Sequence, residues 1–108
     1  MPYIKQERRD EYDPLIEQLT TLIKQNEHGD RFGLDGDANY VLTRIVTRVF
    51  KVESQWRYHS IARAVGCLQC VMMELYRRVA GVYENVAARK NGDVKEYAEF
   101  DQEYKHSM

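Results

Sequence analysis

The sequence predicts an all-α protein, a compact helical bundle with one long central helix. Apolar residues recur at spacings of three and four through most of the chain, which is the period of an amphipathic helix. Turn-forming residues are concentrated in HGDRFGLDGD, residues 28–37, and at Asn91-Gly92. A chain of 108 residues can bury one modest core. We therefore expect a single helical domain over residues 1–108.

The amino-terminal third is expected to form two helices. Charged residues favour a short helix over residues 5–12. Asp13 can then cap a second helix, and Pro14 suits its first turn because the missing N–H is not needed there. This second helix, over residues 14–25, carries an apolar stripe of Leu15, Ile16, Leu19, Leu22 and Ile23.

The next segment is predicted to be a loop followed by a helix with a broad apolar stripe. Its many Gly and Asp residues favour a loop over 26–37. Asp37 can cap a helix over 38–52, where spacing by three and four outweighs a β-branched content that would also suit a strand. The stripe consists of Val41, Leu42, Ile45, Val46, Val49 and Phe50.

The long central helix is expected over residues 59–80, with a kink at Gly81. At about 100° per residue, one side forms a core seam of Ile61, Val65, Leu68, Met72, Leu75 and Val79. The opposite side carries Arg63, Cys67, Cys70, Glu74 and Arg77. Soluble proteins tend to avoid exposed free thiols, so we predict that this second face is the interface of a homo-oligomer, most simply a two-fold dimer. The alternative is packing on another helix of the same chain.

The carboxyl-terminal segment is expected to form two shorter helices. The first is predicted over residues 82–91, and Asn91-Gly92 favours a left-handed stop. Asp93 and Glu96 have the spacing of a capping box. The final helix is expected over 94–105, followed by a frayed terminus.

Cys67 and Cys70 form a C-x-x-C motif that allows three interpretations. A zinc site generally needs four ligands, and the histidines of the chain are His28, His59 and His106, without a second ligand pair at matching spacing. A redox pair needs a helix N-terminus to activate the thiol, whereas this pair lies in mid-helix. The sequence favours the third interpretation, small residues that permit close helix approach. We expect no metal and no cofactor.

One side of the helix over 38–52 has the residue types of a ligand site. It carries Tyr40, Thr43, Arg44, Thr47 and Arg48. Tyr can stack on a planar ring, Arg can form paired hydrogen bonds with phosphate, and Thr hydroxyls can reach sugar or phosphate oxygens. The alternative is an ordinary solvated helix face.

Charge and motif content argue against several functional classes. The 16 basic and 17 acidic residues nearly cancel, so nucleic acid is disfavoured as a partner. Neither a signal peptide nor an apolar run of membrane-spanning length is present, so we expect a cytoplasmic protein without a membrane partner. Nucleophile-elbow, zinc-protease and phosphate-loop motifs are also missing, so we expect no enzyme activity.

Four blocks of the sequence resemble recurring blocks of a family of small uncharacterised phage, prophage and archaeal proteins. They are MPYIK, GDANYVLTR, ELYRRV and ENVAARKNGDV, and the resemblance covers residues 1 to about 94. That family usually carries Ala-Pro just before Tyr83-Glu84, where this chain has Gly81-Val82. The resemblance therefore implies a softer kink at Gly81 in this protein.

The family blocks fall mainly on polar and aromatic residues, which suit a pocket better than a core. With the face described above, they give a predicted ligand-binding set of Asn39, Tyr40, Thr43, Arg44, Arg48, Glu74, Tyr76, Arg77, Arg78 and Tyr83.

The resemblance also implies a setting, by analogy with compact helical phage proteins that sequester nucleotide signals of bacterial immunity. It implies a non-catalytic homo-oligomer that sequesters a small nucleotide-like or phosphorylated molecule in the cytoplasm of the infected host cell. The alternative is a protein–protein interaction module that binds and inhibits a host protein through a Tyr-rich surface and the acidic tail, Glu96 to Glu103.

Overall fold

The structure, a computed structural model, describes residues 2–26, 31–51, 53 and 55–107, and every regular element in these ranges is helical. The elements are α1 (Gln6–Gln25), α2 (Arg31–Phe50), α3 (Tyr58–Leu75), a π-helical segment (Tyr76–Ala80), α4 (Gly81–Asn91) and α5 (Lys95–Ser107). The predicted all-α class is confirmed.

The chain divides into two units, Met1–Cys70 and Val71–Met108. In the first unit, α1 contacts α2, and in the second the π-helical segment contacts α4. The contacting elements of each unit are therefore neighbours in sequence.

Very little of the described surface is buried within the chain. Of the described residues, Ser60 and Ala64 alone are buried, and both lie on α3. The predicted core seam is 44–63% exposed at Ile61, Val65, Leu68, Met72, Leu75 and Val79. The prediction that this seam is buried is wrong for the single chain. Within the described part of the first unit, the backbones of α1 and α2 approach each other and not α3.

Helix α1 is continuous through Pro14, whereas the sequence predicted a break at Asp13. An internal proline removes one helical hydrogen bond and crowds the preceding turn, at a cost of about 3 kcal/mol. The flanking residues are largely Glu, Gln, Arg, Lys and Leu, which are strong helix formers. Their summed preference outweighs the local capping signal. The helix instead starts after Lys5, whose carbonyl accepts the N–H groups of Arg8 and Arg9.

Helix α2 begins at Arg31, so the predicted loop over 26–37 is wrong from residue 31 onward. Residues 27–30 of that loop lie outside the described residues. Gly33 and Gly36 are helical although each weakens a helix by roughly 0.5–1 kcal/mol relative to Ala. Isolated glycines are thus tolerated, and Asp37, the predicted cap, lies inside the helix.

Helix α3 begins with a side-chain cap at Ser60. The Arg57 N–H donates to the Ser60 Oγ at 3.0 Å, and the Ser60 hydroxyl donates to the Arg57 carbonyl at 2.8 Å. The Ile61 N–H also donates to that carbonyl. The first of these bonds pairs the Arg57 N–H, a donor that a helix start would otherwise leave without a helical partner.

The long helix changes to a π turn before the predicted kink. The Gly81 N–H donates to the Tyr76 carbonyl five residues earlier, while Gly81 itself has helical angles, φ −60° and ψ −43°. The irregularity therefore lies at residues 76–80 rather than at Gly81. A Cβ at Gly81 would lie 3.5 Å from the Tyr76 oxygen, an ordinary contact, so the π turn does not require glycine there.

The predicted stop after α4 is confirmed at Gly92. This residue has a φ of +93°, a region that favours glycine. Its N–H donates to the Ala88 carbonyl at 2.9 Å. The turn ends α4 at Asn91.

The predicted capping box of Asp93 and Glu96 is wrong. Helix α5 begins at Lys95, so Asp93 lies one residue too early to act as the cap. Its Oδ1 instead accepts the neighbouring Val94 N–H at 2.8 Å. The helix continues to Ser107, where a frayed end was predicted, and Met108 lies outside the described residues.

The continuity of α1 predicts that Pro14→Ala stabilises the protein. Restoring the N–H and removing the ring clash should raise the free energy of unfolding by about 1–3 kcal/mol, measured by urea unfolding with far-UV circular dichroism. Asp13→Ala is the matched control and should stay within about 0.5 kcal/mol of the parent. A neutral Pro14→Ala with a loss of about 1 kcal/mol in Asp13→Ala would mean that Asp13 caps a separate helix.

Candidate functional site

The predicted ligand face of α2 carries a preformed pair, Tyr40 and Arg44. The Arg44 Nη1 donates to the Tyr40 hydroxyl at 3.1 Å, and the guanidinium carbon lies 5.9 Å from the centroid of the Tyr40 ring. Both side chains are exposed. Because residues four apart are neighbours on a helix surface, the pair forms without tertiary packing. It presents an aromatic ring and a cation together to the solvent.

Asn39 and Thr43 lie on an adjacent strip of α2. The Thr43 hydroxyl donates to the Asn39 Oδ1 at 3.2 Å. Both residues line a groove of about 360 Å³ between α2 and α3, together with Leu42, Val46, Thr47 and Leu68. Its three aliphatic side chains suit an apolar group better than a phosphate.

Arg48 lies in a second groove, formed by the end of α2 and the segment that follows it. This groove has a volume of about 410 Å³ and is lined by Thr47, Arg48, Lys51, Glu53 and Trp56. Lys51 and Trp56 are not in the predicted ligand set, because both lie at or beyond the end of the periodic segment. The signal that identifies them is the one Trp of the chain placed among basic residues.

In the second unit, the predicted ligand residues lie on the π-helical segment and its flanks. Arg77 donates from Nε at 3.1 Å and from Nη2 at 2.5 Å to the Glu74 Oε1. Tyr76 and Arg78 belong to the π-helical segment and are exposed, as is Tyr83 on α4. Such π turns occur frequently at functional sites, so this segment is a second candidate region beside the face of α2.

The predicted interface residues of the first unit lie on an open part of α3. Cys67 and Cys70 are free and exposed. The guanidinium carbon of Arg63 lies 5.6 Å from the centroid of the Phe50 ring on α2. A Cβ added at Gly66 would meet no atom within 4 Å. The remaining two interface residues, Glu74 and Arg77, form the ion pair described for the second unit.

The described ranges contain neither a cluster of metal ligands nor a membrane-spanning helix. Those ranges contain no group of three or more His, Cys, Asp or Glu side chains placed to hold a metal ion. None of their helices combines the length and hydropathy needed to cross a bilayer. Within these ranges, Cys67 and Cys70 have no further ligands to complete a zinc site.

The fold and its two α2 grooves define an all-helical protein that presents polar and aromatic side chains on open helix faces. The chain belongs to a family described as Domain of unknown function (DUF6899), whose model matches residues 1–94. No curated protein and no solved structure matches the chain. The resemblance to an uncharacterised family is confirmed, and α5 begins immediately after the matched residues.

The open face around Cys67 and Cys70 leads to a labelling prediction. If this face is the predicted interface, both thiols should react slowly with an aromatic disulfide reagent in the assembled protein and rapidly after dilution or unfolding. Gly66→Ala tests the same face. If a second helix packs closely against Gly66, the added methyl group should destabilise the protein. Two rapidly reacting thiols in the assembled protein, with Gly66→Ala stabilising by about 0.5–1 kcal/mol, would exclude this face as the interface.

Proposed function

We propose that this protein is a non-catalytic binding protein that acts as a homo-oligomer and holds a small phosphorylated, nucleotide-like molecule. The observation that carries the ligand class is the Tyr40–Arg44 pair, in which a ring and a guanidinium are already held together at 3.1 Å on an exposed helix face. A ring can stack on a base, and a guanidinium can bind phosphate through two parallel hydrogen bonds.

Assembly is supported by the surface that the single chain leaves open. Large apolar side chains of the first unit contribute to this surface, namely Leu42, Ile45, Val49, Ile61, Val65 and Leu68. Burying them between copies would supply the hydrophobic stabilisation that one chain lacks.

The proposed setting follows from the family resemblance. In a phage protein produced in the cytoplasm of an infected cell, binding without chemistry would remove a nucleotide signal of host immunity from circulation. Such sequestration requires tight binding of the signal and enough copies of the protein, and it requires no catalytic group.

The proposal predicts a melting temperature that depends on protein concentration and on ligand. Native mass spectrometry should show an oligomer. The melting temperature should rise with protein concentration because folding and assembly are linked. Among cyclic dinucleotides, cyclic trinucleotides and ADP-ribose derivatives, a bound ligand at 100 times its Kd should stabilise the fold by about 2.7 kcal/mol.

Arg44→Ala should abolish this ligand-dependent stabilisation, and Arg8→Ala on α1 is the matched control for loss of one exposed cation. A monomer with a concentration-independent midpoint would contradict the oligomer. An oligomer that no member of the panel stabilises would contradict the ligand.

A second candidate function, binding to a host protein, is favoured by α5. Its exposed aromatic residues Tyr97 and Phe100 lie three apart on one side of the helix, and the Phe100 ring stacks on Tyr104 at 6.4 Å between centroids. Four of the residues between Lys95 and Lys105 are acidic, so the stripe is bordered by negative charge. An amphipathic helix of this kind fits an apolar groove on a protein partner.

Paired substitutions on α5 test this second function. Tyr97→Ala with Phe100→Ala should eliminate capture of a host protein and leave ligand-dependent stabilisation unchanged. Gln102→Ala, an uncharged position on the other side of the helix, is the control and should retain capture. Equal capture by the aromatic variant and the parent would rule out α5 as the binding surface.

A further inference from the structure

We propose that the groove formed by the end of α2 and the segment that follows it, lined by Arg48, Lys51 and Trp56, is the subsite that binds one base and its adjacent phosphate. This inference rests on the proposed function, because it assigns the nucleotide-like ligand to a particular place on the first unit. The inference adds Trp56 and Lys51 to the ligand-binding residues. In it, the base of the ligand stacks on the indole ring of Trp56.

The groove has suitable size and composition for such a group. Its volume of about 410 Å³ falls within the usual range of small-molecule sites, roughly 300–1,000 Å³. Trp56 is 40% exposed, so part of the indole is available to a ligand. Base stacking on an aromatic side chain is tolerant of base identity, since every base presents a π face.

Two cations stand beside the indole. Arg48 and Lys51 both line the groove, and in the described part of the chain neither forms an ion pair with a carboxylate. Arg can bind phosphate through its planar fork, and Lys contributes a compact charge. Thr47 donates its hydroxyl to the carbonyls of Thr43 and Arg44, so it can offer a ligand only its oxygen as an acceptor.

Glu53 provides a second observation that points to this groove. It is a non-glycine residue with a φ of +55°, a conformation that L residues adopt at a cost and that concentrates at ligand sites. Glu53 lines the groove together with the two basic residues. A carboxylate accepts hydrogen bonds from an exocyclic amine or a ribose hydroxyl, so it suits the base and sugar of a nucleotide while disfavouring a bare phosphate.

The competing explanation is that Arg48 and Lys51 serve the helix. Basic residues near the carboxyl end of α2 interact favourably with the helix dipole. That role would make their removal destabilising without any effect on a ligand. The helix-dipole role does not explain the exposed indole or the backbone conformation of Glu53. Measuring ligand affinity and protein stability on the same variants distinguishes the two roles.

The test uses the fluorescence of Trp56, which is the one Trp of the chain. Adenosine 5′-monophosphate is titrated into the full-length protein, with adenosine and inorganic phosphate as part-ligands. We expect saturable quenching by the nucleotide and at least tenfold weaker binding of either part-ligand, because base and phosphate contacts act together.

By calorimetry, Trp56→Ala and Arg48→Ala should each weaken nucleotide binding roughly tenfold or more. Arg8→Ala should leave binding within twofold of the parent, and circular dichroism should show that all variants fold. Binding that Trp56→Ala leaves unchanged would overturn this subsite while the proposed function stands with the ligand placed elsewhere. A loss of stability without loss of affinity in Arg48→Ala would likewise overturn it in favour of the helix-dipole role. No nucleotide binding in any assay would remove the proposed function as well.

Discussion

The central feature of this protein is how little apolar surface one chain buries in the described ranges. Ser60 and Ala64 are the buried residues of the described ranges, and neither contributes a large apolar side chain. The conformational entropy lost on folding amounts to about 1–2 kcal/mol per residue for the backbone alone. Hydrophobic burial must offset most of that cost. In the described ranges the residues able to provide it, such as Leu42 and Leu68, remain exposed, and the association that we propose would cover them.

The interactions inside the chain account for helices rather than for tertiary structure. Side-chain hydrogen bonds join Asn39 to Thr43, Tyr40 to Arg44 and Glu74 to Arg77, each pair three or four residues apart on one helix. Such pairs contribute a few tenths of a kcal/mol each, and most of the stability of helices in proteins comes from packing of an amphipathic face. Local contacts therefore explain where helices form, and the association that we propose would explain how they persist.

The difference between local and tertiary interactions also explains what could be predicted from the sequence. The all-α class and the stop at Gly92 depend on local pattern and backbone preference, and both are confirmed. The helix starts predicted from Asp13-Pro14 and from Asp93 are both wrong. At these positions the helix propensity and register of the surrounding residues outweigh the local capping signal. The buried seam was wrong for a different reason, since amphipathicity identifies an apolar face and does not say whether its cover comes from the same chain. The sequence did not identify Trp56 as a ligand residue, because residues that follow the end of a helix show no hydrophobic periodicity.

Ligand binding and assembly are connected if both proposals hold. A ligand that binds the folded first unit stabilises it over the unfolded chain, and a folded chain is the form that can associate. A ligand that prefers the assembled form must, by the same free-energy cycle, strengthen assembly as much as assembly strengthens its binding. The open faces of α2 and α3 lie on one unit and carry both the exposed apolar residues and the Arg48–Trp56 groove. A protein built this way would sequester its ligand most effectively at concentrations where it is already assembled, so its abundance in the cell would control its affinity.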